Sequence, residues 1–353
     1  MREKKVLLMG EAAIGKSSMR AVIFKNTMPD LTRRLTTTNY YETEKYRFFD
    51  GANALSVVDC GGQIDFFESY LSDDGQQMLF AHVSALIYVF EAKKLDSTGR
   101  PLADSLQYFC RCLEALQKHS PNAPVFVLIQ KMDLVDNDRR QSTFDSWVTA
   151  LREVAEDATW SAYGTSIYED TLYRAWSAVI QVLVPNIAAL TQNLNTLAKA
   201  CGAVEAAIFE KNTFLLVARS STEEQANESL VAVHDPSVPA PAPASASTGS
   251  LGQANRFEMI SKLIKAFKHD AKEYAREPFR SLQMQMEGFT LVLTELTTTS
   301  YILIIGTNDE PRISWSFSIE SRSFADWQPA PEAINLNIVH IRNRFEDLQA
   351  AAK

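Results

Sequence analysis

The sequence predicts an α/β domain built on a mostly parallel sheet, followed by an α+β domain. Three observations carry this. Residues 4–184 alternate short apolar runs with amphipathic stretches. Beyond Pro185 the apolar runs come in close pairs joined by short polar turns. The 353 residues, 46% hydrophobic and 22% charged, are enough to bury two cores of ordinary globular composition.

The first domain is read over 1–184. Lys5-Val-Leu-Leu-Met9, Ala54-Leu-Ser-Val-Val58, Ala85-Leu-Ile-Tyr-Val-Phe90 and Val125-Phe-Val-Leu-Ile129 are separated by helical stretches such as 102–118. Strands apolar on both faces and alternating with helices indicate a parallel sheet. Pro185 ends or kinks the last helical run. The second domain is read over 185–353. Glu205-Ala-Ala-Ile-Phe209 and Phe214-Leu-Leu-Val217 predict a hairpin, and Phe289-Thr-Leu-Val-Leu293 with Tyr301-Ile-Leu-Ile-Ile305 another. Phe257, Ile260, Leu263, Ile264 and Phe267 share one helical face, as do Ile334, Ile338, Ile341, Phe345 and Leu348. Residues 221–254 hold Pro236, Pro239, Pro241 and Pro243 among Ala and Ser. Such a composition buries too little apolar surface to offset its ordering entropy, so a disordered insertion is expected.

Charge narrows the function. Lys and Arg total 35 against 43 Asp and Glu, a net −8. That argues against nucleic acid and against a polybasic membrane anchor. Cys60, Cys110, Cys112 and Cys201 have no metal-ligand spacing and suit a reduced, cytoplasmic protein. No apolar run reaches the ~18 residues of a membrane span. Arg2 and the terminal Ala-Ala-Ala-Lys353 fit no lipidation signal. Membrane residence is therefore expected only through partners.

Four spaced motifs then point to one nucleotide site. Gly10-Glu-Ala-Ala-Ile-Gly15-Lys16-Ser17 follows the first strand and opens a helical stretch. Glycines let the backbone wrap a phosphate, and the helix N-terminus adds positive potential. Lys16 would reach the β- and γ-phosphates and the Ser17 hydroxyl would ligate Mg²⁺. Asp59-Cys-Gly-Gly62-Gln63 ends the second apolar run. There Asp59 can hold the ion through its bound water, Gly62 can offer an N–H to the γ-phosphate, and Gln63 can orient an attacking water. Gln130-Lys131-Met-Asp133 follows the fourth run, and the Asp133 carboxylate can accept two guanine N–H groups that adenine does not present together. In Gly164-Thr-Ser166-Ile167, backbone N–H groups can meet the guanine oxygen. Thr36, Thr37 and Thr38 all have the hydroxyl that could sense the γ-phosphate and complete the Mg²⁺ shell; offset favours Thr38. Arg33 and Arg34 offer either an arginine supplied in cis or a solvated basic turn.

These residues together resemble the Rag/Gtr GTPases, specifically the A/B-type subunit. The likeness rests on Lys4-Lys-Val-Leu-Leu-Met-Gly10, Arg33-Arg-Leu35, Asp59-Cys-Gly-Gly-Gln63, Lys131-Met-Asp-Leu-Val135, and Thr165-Ser-Ile167 with Glu169-Asp-Thr-Leu-Tyr173. It continues in Phe209-Glu-Lys-Asn-Thr-Phe214 and Arg256-Phe-Glu-Met-Ile-Ser261. The resemblance implies a Ras-like G domain and a roadblock-type C-terminal domain. It implies slow GTP hydrolysis to GDP with Mg²⁺, stimulated by an activating protein. It further implies a heterodimer with a C/D-type subunit, held by a scaffold complex on the lysosome or vacuole, that signals amino-acid sufficiency to the target-of-rapamycin kinase complex. The expected nucleotide site is Gly10, Ala12, Ala13, Gly15, Lys16, Ser17, Ser18, Thr32, Thr38, Gly62, Gln130, Lys131, Asp133, Ser166 and Ile167. Lys16 and Gln63 act on the reaction, and Ser17, Thr38 and Asp59 serve the metal. Ala13 stands where the family usually has glycine, and Gln130 where it has histidine. Two other readings compete: a structural subunit that uses nucleotide only to fold, and a vesicle-traffic GTPase.

Overall fold

The computed structural model describes residues 2–36, 38, 40–48, 53–220, 231–236, 264–265, 281–285 and 289–307. The order is β1 (Arg2–Gly10), α1 (Lys16–Phe24), a 3-10 turn (Pro29–Arg34), β2 (Tyr41–Phe48), β3 (Asn53–Cys60), α2 (Ile64–Leu71) and α3 (Asp73–Phe80). Next come β4 (Val83–Glu91), α4 (Ala103–His119), β5 (Val125–Gln130), α5 (Arg140–Val154), β6 (Trp160–Thr165), α6 (Thr171–Leu183) and α7 (Ile187–Cys201). The remaining strands are β7 (Glu205–Glu210), β8 (Leu216–Arg219), β9 (Val231–His234), β10 (Ser281–Gln285), β11 (Phe289–Thr297) and β12 (Ser300–Thr307).

Among these residues seven strands form one sheet, ordered β2-β3-β1-β4-β5-β6-β9. Its five inner strands are parallel; the edges β2 and β9 run antiparallel to their neighbours. The inner strands are continuous apolar runs because both faces are covered. Val6, Leu8, Ile87 and Val89 point to a core with Met19, Ile23 and Trp176. Leu7, Met9, Leu86 and Tyr88 point to the opposite core with Phe109, Leu113 and Trp147. Alternation with period two thus sorts neighbours onto opposite faces. A parallel sheet brings the ends of β1, β3, β5 and β6 to one rim, where the glycine-lysine turn, the Asp59–Gln63 run, the Gln130–Asp133 run and the Gly164–Ile167 run follow them; the threonine segment instead precedes β2.

The second sheet is antiparallel throughout, ordered β10-β11-β12-β7-β8. Both expected hairpins, β7–β8 and β11–β12, are present, and the sheet fits a roadblock-type domain. The helices expected around 257–267 and 334–348 lie outside the described residues, apart from Ile264, buried against this sheet, and Lys265. α6 and α7 meet at a 111° bend around Pro185. Packing crosses that bend: one core runs from the first sheet through Val179 and Leu183 to Leu194, Ile208, Leu215 and Val217. Among the described residues no single helix is long and apolar enough to cross a membrane.

The insertion differs from expectation. Within 221–254, Val231–His234 forms β9, with Val231 opposite Tyr163 and His234 opposite Trp160. The His234 ring lies 5.2 Å from the Trp160 ring, and its Nε2 is 2.9 Å from the Glu156 carbonyl oxygen. Averaged composition hides the local Val-Ala-Val run, which suits a strand, while β6 would otherwise be a bare edge with unpaired backbone groups.

Candidate nucleotide-binding site

The phosphate end is built by the turn between β1 and α1. Gly10 has φ +136° and Gly15 has φ +100°, conformations that L side chains rarely adopt. Ala13 also lies in the left-handed region, φ +62°, where a Cβ costs about 1–2 kcal/mol. The Lys131 amine donates to the Ala13 carbonyl at 3.0 Å and pairs with Glu91 at 3.2 Å, so the motif after β5 is tied directly to this turn. The Lys16 amine donates to the carbonyls of Gly10 at 2.8 Å and Glu11 at 2.7 Å. Burial pulls this amine down to about 8, against the opposing pull of Asp59, Cys60 and Glu11. Its acceptors are two loop carbonyls that phosphate oxygens can replace.

The Ser17 and Thr38 hydroxyls are 2.8 Å apart, and Asp59 is fully buried beside them. Neither Asp59 oxygen makes a well-formed hydrogen bond among the described residues; its ion-pair contact is Arg20 Nε at 3.4 Å. Burial raises the Asp59 carboxyl above its ordinary range, while the Ser17 hydroxyl and the Arg20 and Lys16 charges hold it down. A buried carboxylate short of hydrogen bonds beside two facing hydroxyls is a donor set that fits a hydrated Mg²⁺.

The end of β3 closes the site. A Cβ at Gly61 would meet the backbone oxygens of Tyr40 and Thr38; one at Gly62 would fall on Glu11 and Ala12 backbone, inside 3.0 Å. Only glycines allow this strand end to touch both loops. The result is a cavity of about 240 Å³ lined by Ala12, Ala13, Gly15, Lys16, Ser17, Ser18, Leu35, Thr36, Thr38, Cys60, Gly61 and Gly62. Gln63 follows directly, exposed at the N-terminal cap of α2. Thr36 and Thr38 both reach the cavity; Thr37 lies outside the described residues. Thr32 is not brought there: its hydroxyl donates to the Pro29 carbonyl at 2.7 Å and closes the 3-10 turn on itself. Arg33 and Arg34 are exposed and do not line the cavity; Arg33 reaches the Tyr168 hydroxyl at 3.3 Å.

The base end lies at the rim of β5 and β6. Buried Gln130 accepts a bond from the Thr165 hydroxyl at 2.5 Å and locks the two strand ends together. Lys131 has φ +68° and turns the chain so that half-buried Asp133 follows in a 3-10 turn. The Ser166 N–H is taken by the Thr171 hydroxyl at 3.1 Å, and the Ser166 hydroxyl accepts from Tyr168 N–H at 3.1 Å. Neither of these two bonds uses the amide of Ile167, the next residue at this rim. Two further residues emerge only from the structure. Glu11 pairs with Lys94 and accepts from the Ser105 hydroxyl, anchoring the phosphate turn to α4. Arg20, on α1, holds three carboxylates at once. Its sequence signal was a charged residue amid the apolar Met-Arg-Ala-Val-Ile-Phe24 run.

Residues 5–264 match the Gtr1/RagA G protein conserved region. The chain belongs to the Gtr1/RagA family. It is 36% identical to "GTP-binding protein gtr1" of Schizosaccharomyces pombe, covering 86% of this chain and 88% of that one. To "Ras-related GTP-binding protein A" of Dictyostelium discoideum it is 33% identical over 86% and 89%. "GTP-binding protein GTR2" of Saccharomyces cerevisiae matches at 29% over 61% of each chain. Similarity is thus higher and longer toward the A/B-type relatives, and the chain is a Rag-type GTPase of that kind. In this Gtr1/RagA member the departures at Ala13 and Gln130 have structural partners, Lys131 and Thr165 respectively.

Proposed function

We propose that this Rag-type GTPase is a GTP/GDP switch in a heterodimer with a C/D-type subunit, relaying amino-acid sufficiency to the target-of-rapamycin kinase complex. Its place is the cytoplasmic face of the lysosome or vacuole, reached through a scaffold complex. The observation that supports a switch best is the 2.8 Å contact between Ser17 on α1 and Thr38 on the following loop, beside buried Asp59. It joins the helix that holds phosphate to a loop that can answer to the third phosphate. Mg²⁺ fits these three residues; Ser17 and Thr38 would hold it, Asp59 would hold its water, and the bound ion would neutralise phosphate charge.

This chain's own residues supply the rest. Lys16 leaves the Gly10 and Glu11 carbonyls for phosphate oxygens, and the α1 N-terminus adds its dipole. The Gly62 N–H donates to the third phosphate, and Gln63 orients water for in-line attack when an activating protein closes over it. Asp133 accepts from the guanine N–H groups, and the Ile167 amide donates to the base oxygen. Relatives named as GTR2 and Ras-related GTP-binding protein C support the choice of partner. The test is purification of the full chain from its own cells, with co-eluting chains and bound nucleotide identified by mass spectrometry. A C/D-type chain and guanine nucleotide are expected. Adenine nucleotide, or purification without such a chain, overturns the reading.

A further inference from the structure

Helix α1 carries Lys16 and Ser17 in its first turn, and one turn later it carries Arg20 on the same face. The Arg20 side chain is 6% exposed. Its fork reaches Glu42 Oε2 at 2.6 Å, Glu44 Oε1 at 2.9 Å and Asp59 Oδ2 at 3.4 Å. Glu42 and Glu44 lie on one face of β2, two residues apart, and Glu42 is in register with Asp59 across the β2–β3 pair. One guanidinium therefore spans three elements, beside the Phe24–Tyr46 ring stack and the Lys25–Glu44 ion pair that also join α1 to β2. Taking a cation out of water costs several kcal/mol, and well-packed apolar residues hold elements together at least as well. A buried cation at this junction needs another reason.

The reason lies in what hangs from the two strands. β2 begins three residues after Thr38, and β3 ends one residue before Gly61 and Gly62. These are the two segments that meet a third phosphate, and GDP has no group for either. Resting on the switch reading above, we propose that Arg20 is a positioning residue for GTP over GDP. Its fork holds Glu42 by a hydrogen bond and draws Glu44 and Asp59 by charge, docking the strands that lead to Thr38 and Gly62 onto the helix that carries Lys16 and Ser17. Only arginine presents several donors in one rigid plane to carboxylates on two strands; lysine can satisfy one at a time.

The experiment measures fluorescent GTP and GDP analogues binding to the full chain with magnesium present, for wild type, R20K, R20M and E42Q. The readout is the ratio of GTP to GDP affinity, which a general loss of folding would not move. R20M is expected to shift that ratio toward GDP at least about tenfold, with R20K between it and wild type. E42Q loses one anchor on the half-exposed side of the fork and is expected to shift the ratio about threefold. It carries the test alone if the Arg20 variants fail to fold. An unchanged ratio overturns the proposal, whether both affinities stay or fall together. Failure of wild type to bind either nucleotide would instead overturn the switch reading itself.

Discussion

Replacing Gly62 by alanine tests how the strand end closes on the phosphate turn. The added Cβ would fall on the Glu11 carbonyl carbon and the Ala12 nitrogen, inside the 3.0 Å that real Cβ atoms keep. Both obstacles are backbone, so no side chain can swing away. Forcing an extra methyl into a packed contact costs about 1–3 kcal/mol. If the β3–α2 junction lifts instead, the Gly62 N–H leaves the place of the third phosphate and that cost appears as lost GTP affinity. At about 1.4 kcal/mol per tenfold, the loss is roughly 5- to 150-fold. GDP, with no group there, is expected to lose no more than about threefold. Gly15→Ala is the matched control: nothing lies within 4 Å of its Cβ, but φ is +100°. It imposes backbone strain without a clash at the third phosphate, so both nucleotides should weaken alike. Titration of both variants with fluorescent nucleotide analogues decides the matter. GTP affinity within twofold of wild type in Gly62→Ala, or equal losses for GTP and GDP, would refute the reasoning.

Asp133→Asn should lower GTP affinity at least about tenfold and raise preference for xanthosine nucleotides, because an amide can donate to the ring carbonyl; competition binding checks this. Gln63→Leu should keep GTP binding and lose stimulated hydrolysis by orders of magnitude in single-turnover assays, and unaltered stimulation would mean another group positions the water. Ala13→Gly should relieve the left-handed strain at φ +62° and raise stability by about 1 kcal/mol in urea unfolding, with a lower midpoint the contrary result. Ser177→Ala removes the acceptor, at 3.0 Å, of the buried Leu216 N–H and should cost about 1–3 kcal/mol across a single unfolding transition; an unmoved midpoint would show that the α6–β8 seam carries little.

Local chemistry explains what could be read from the chain. Gly10 and Gly15 stand where the backbone turns left-handed, so the phosphate turn announces itself by residue type. The inner strands are legible because both faces of a parallel sheet are covered and the runs are unbroken. Long-range partners are not legible. Nothing in the spacing says that the Thr32 hydroxyl is spent on Pro29, or that the Ser166 amide is spent on Thr171. Arg20 looks like an ordinary helix charge until β2 and β3 bring Glu42, Glu44 and Asp59 around it. β9 was lost in a composition averaged over a Pro-rich segment, because a four-residue strand needs an open edge more than it needs a long signal.

The nucleotide helix itself links the two sheets. α1 is nine residues, about 13 Å at 1.5 Å per residue. Its N-terminus opens on the cavity. Its middle is held by Arg20. Its C-terminus meets the other domain: the Lys265 amine donates to the Val22 and Ile23 carbonyls at 3.4 and 3.1 Å and lies 4.5 Å above the Tyr173 ring. Just beyond, the Asn26 amide donates to the Asn212 carbonyl at 3.2 Å, in the β7–β8 turn. A cation on the last carbonyls of a helix complements its dipole by about 0.3–1 kcal/mol, as a phosphate does at the first amides. The phosphate turn and the contacts of Lys265 and Asn212 thus sit at opposite ends of one short helix.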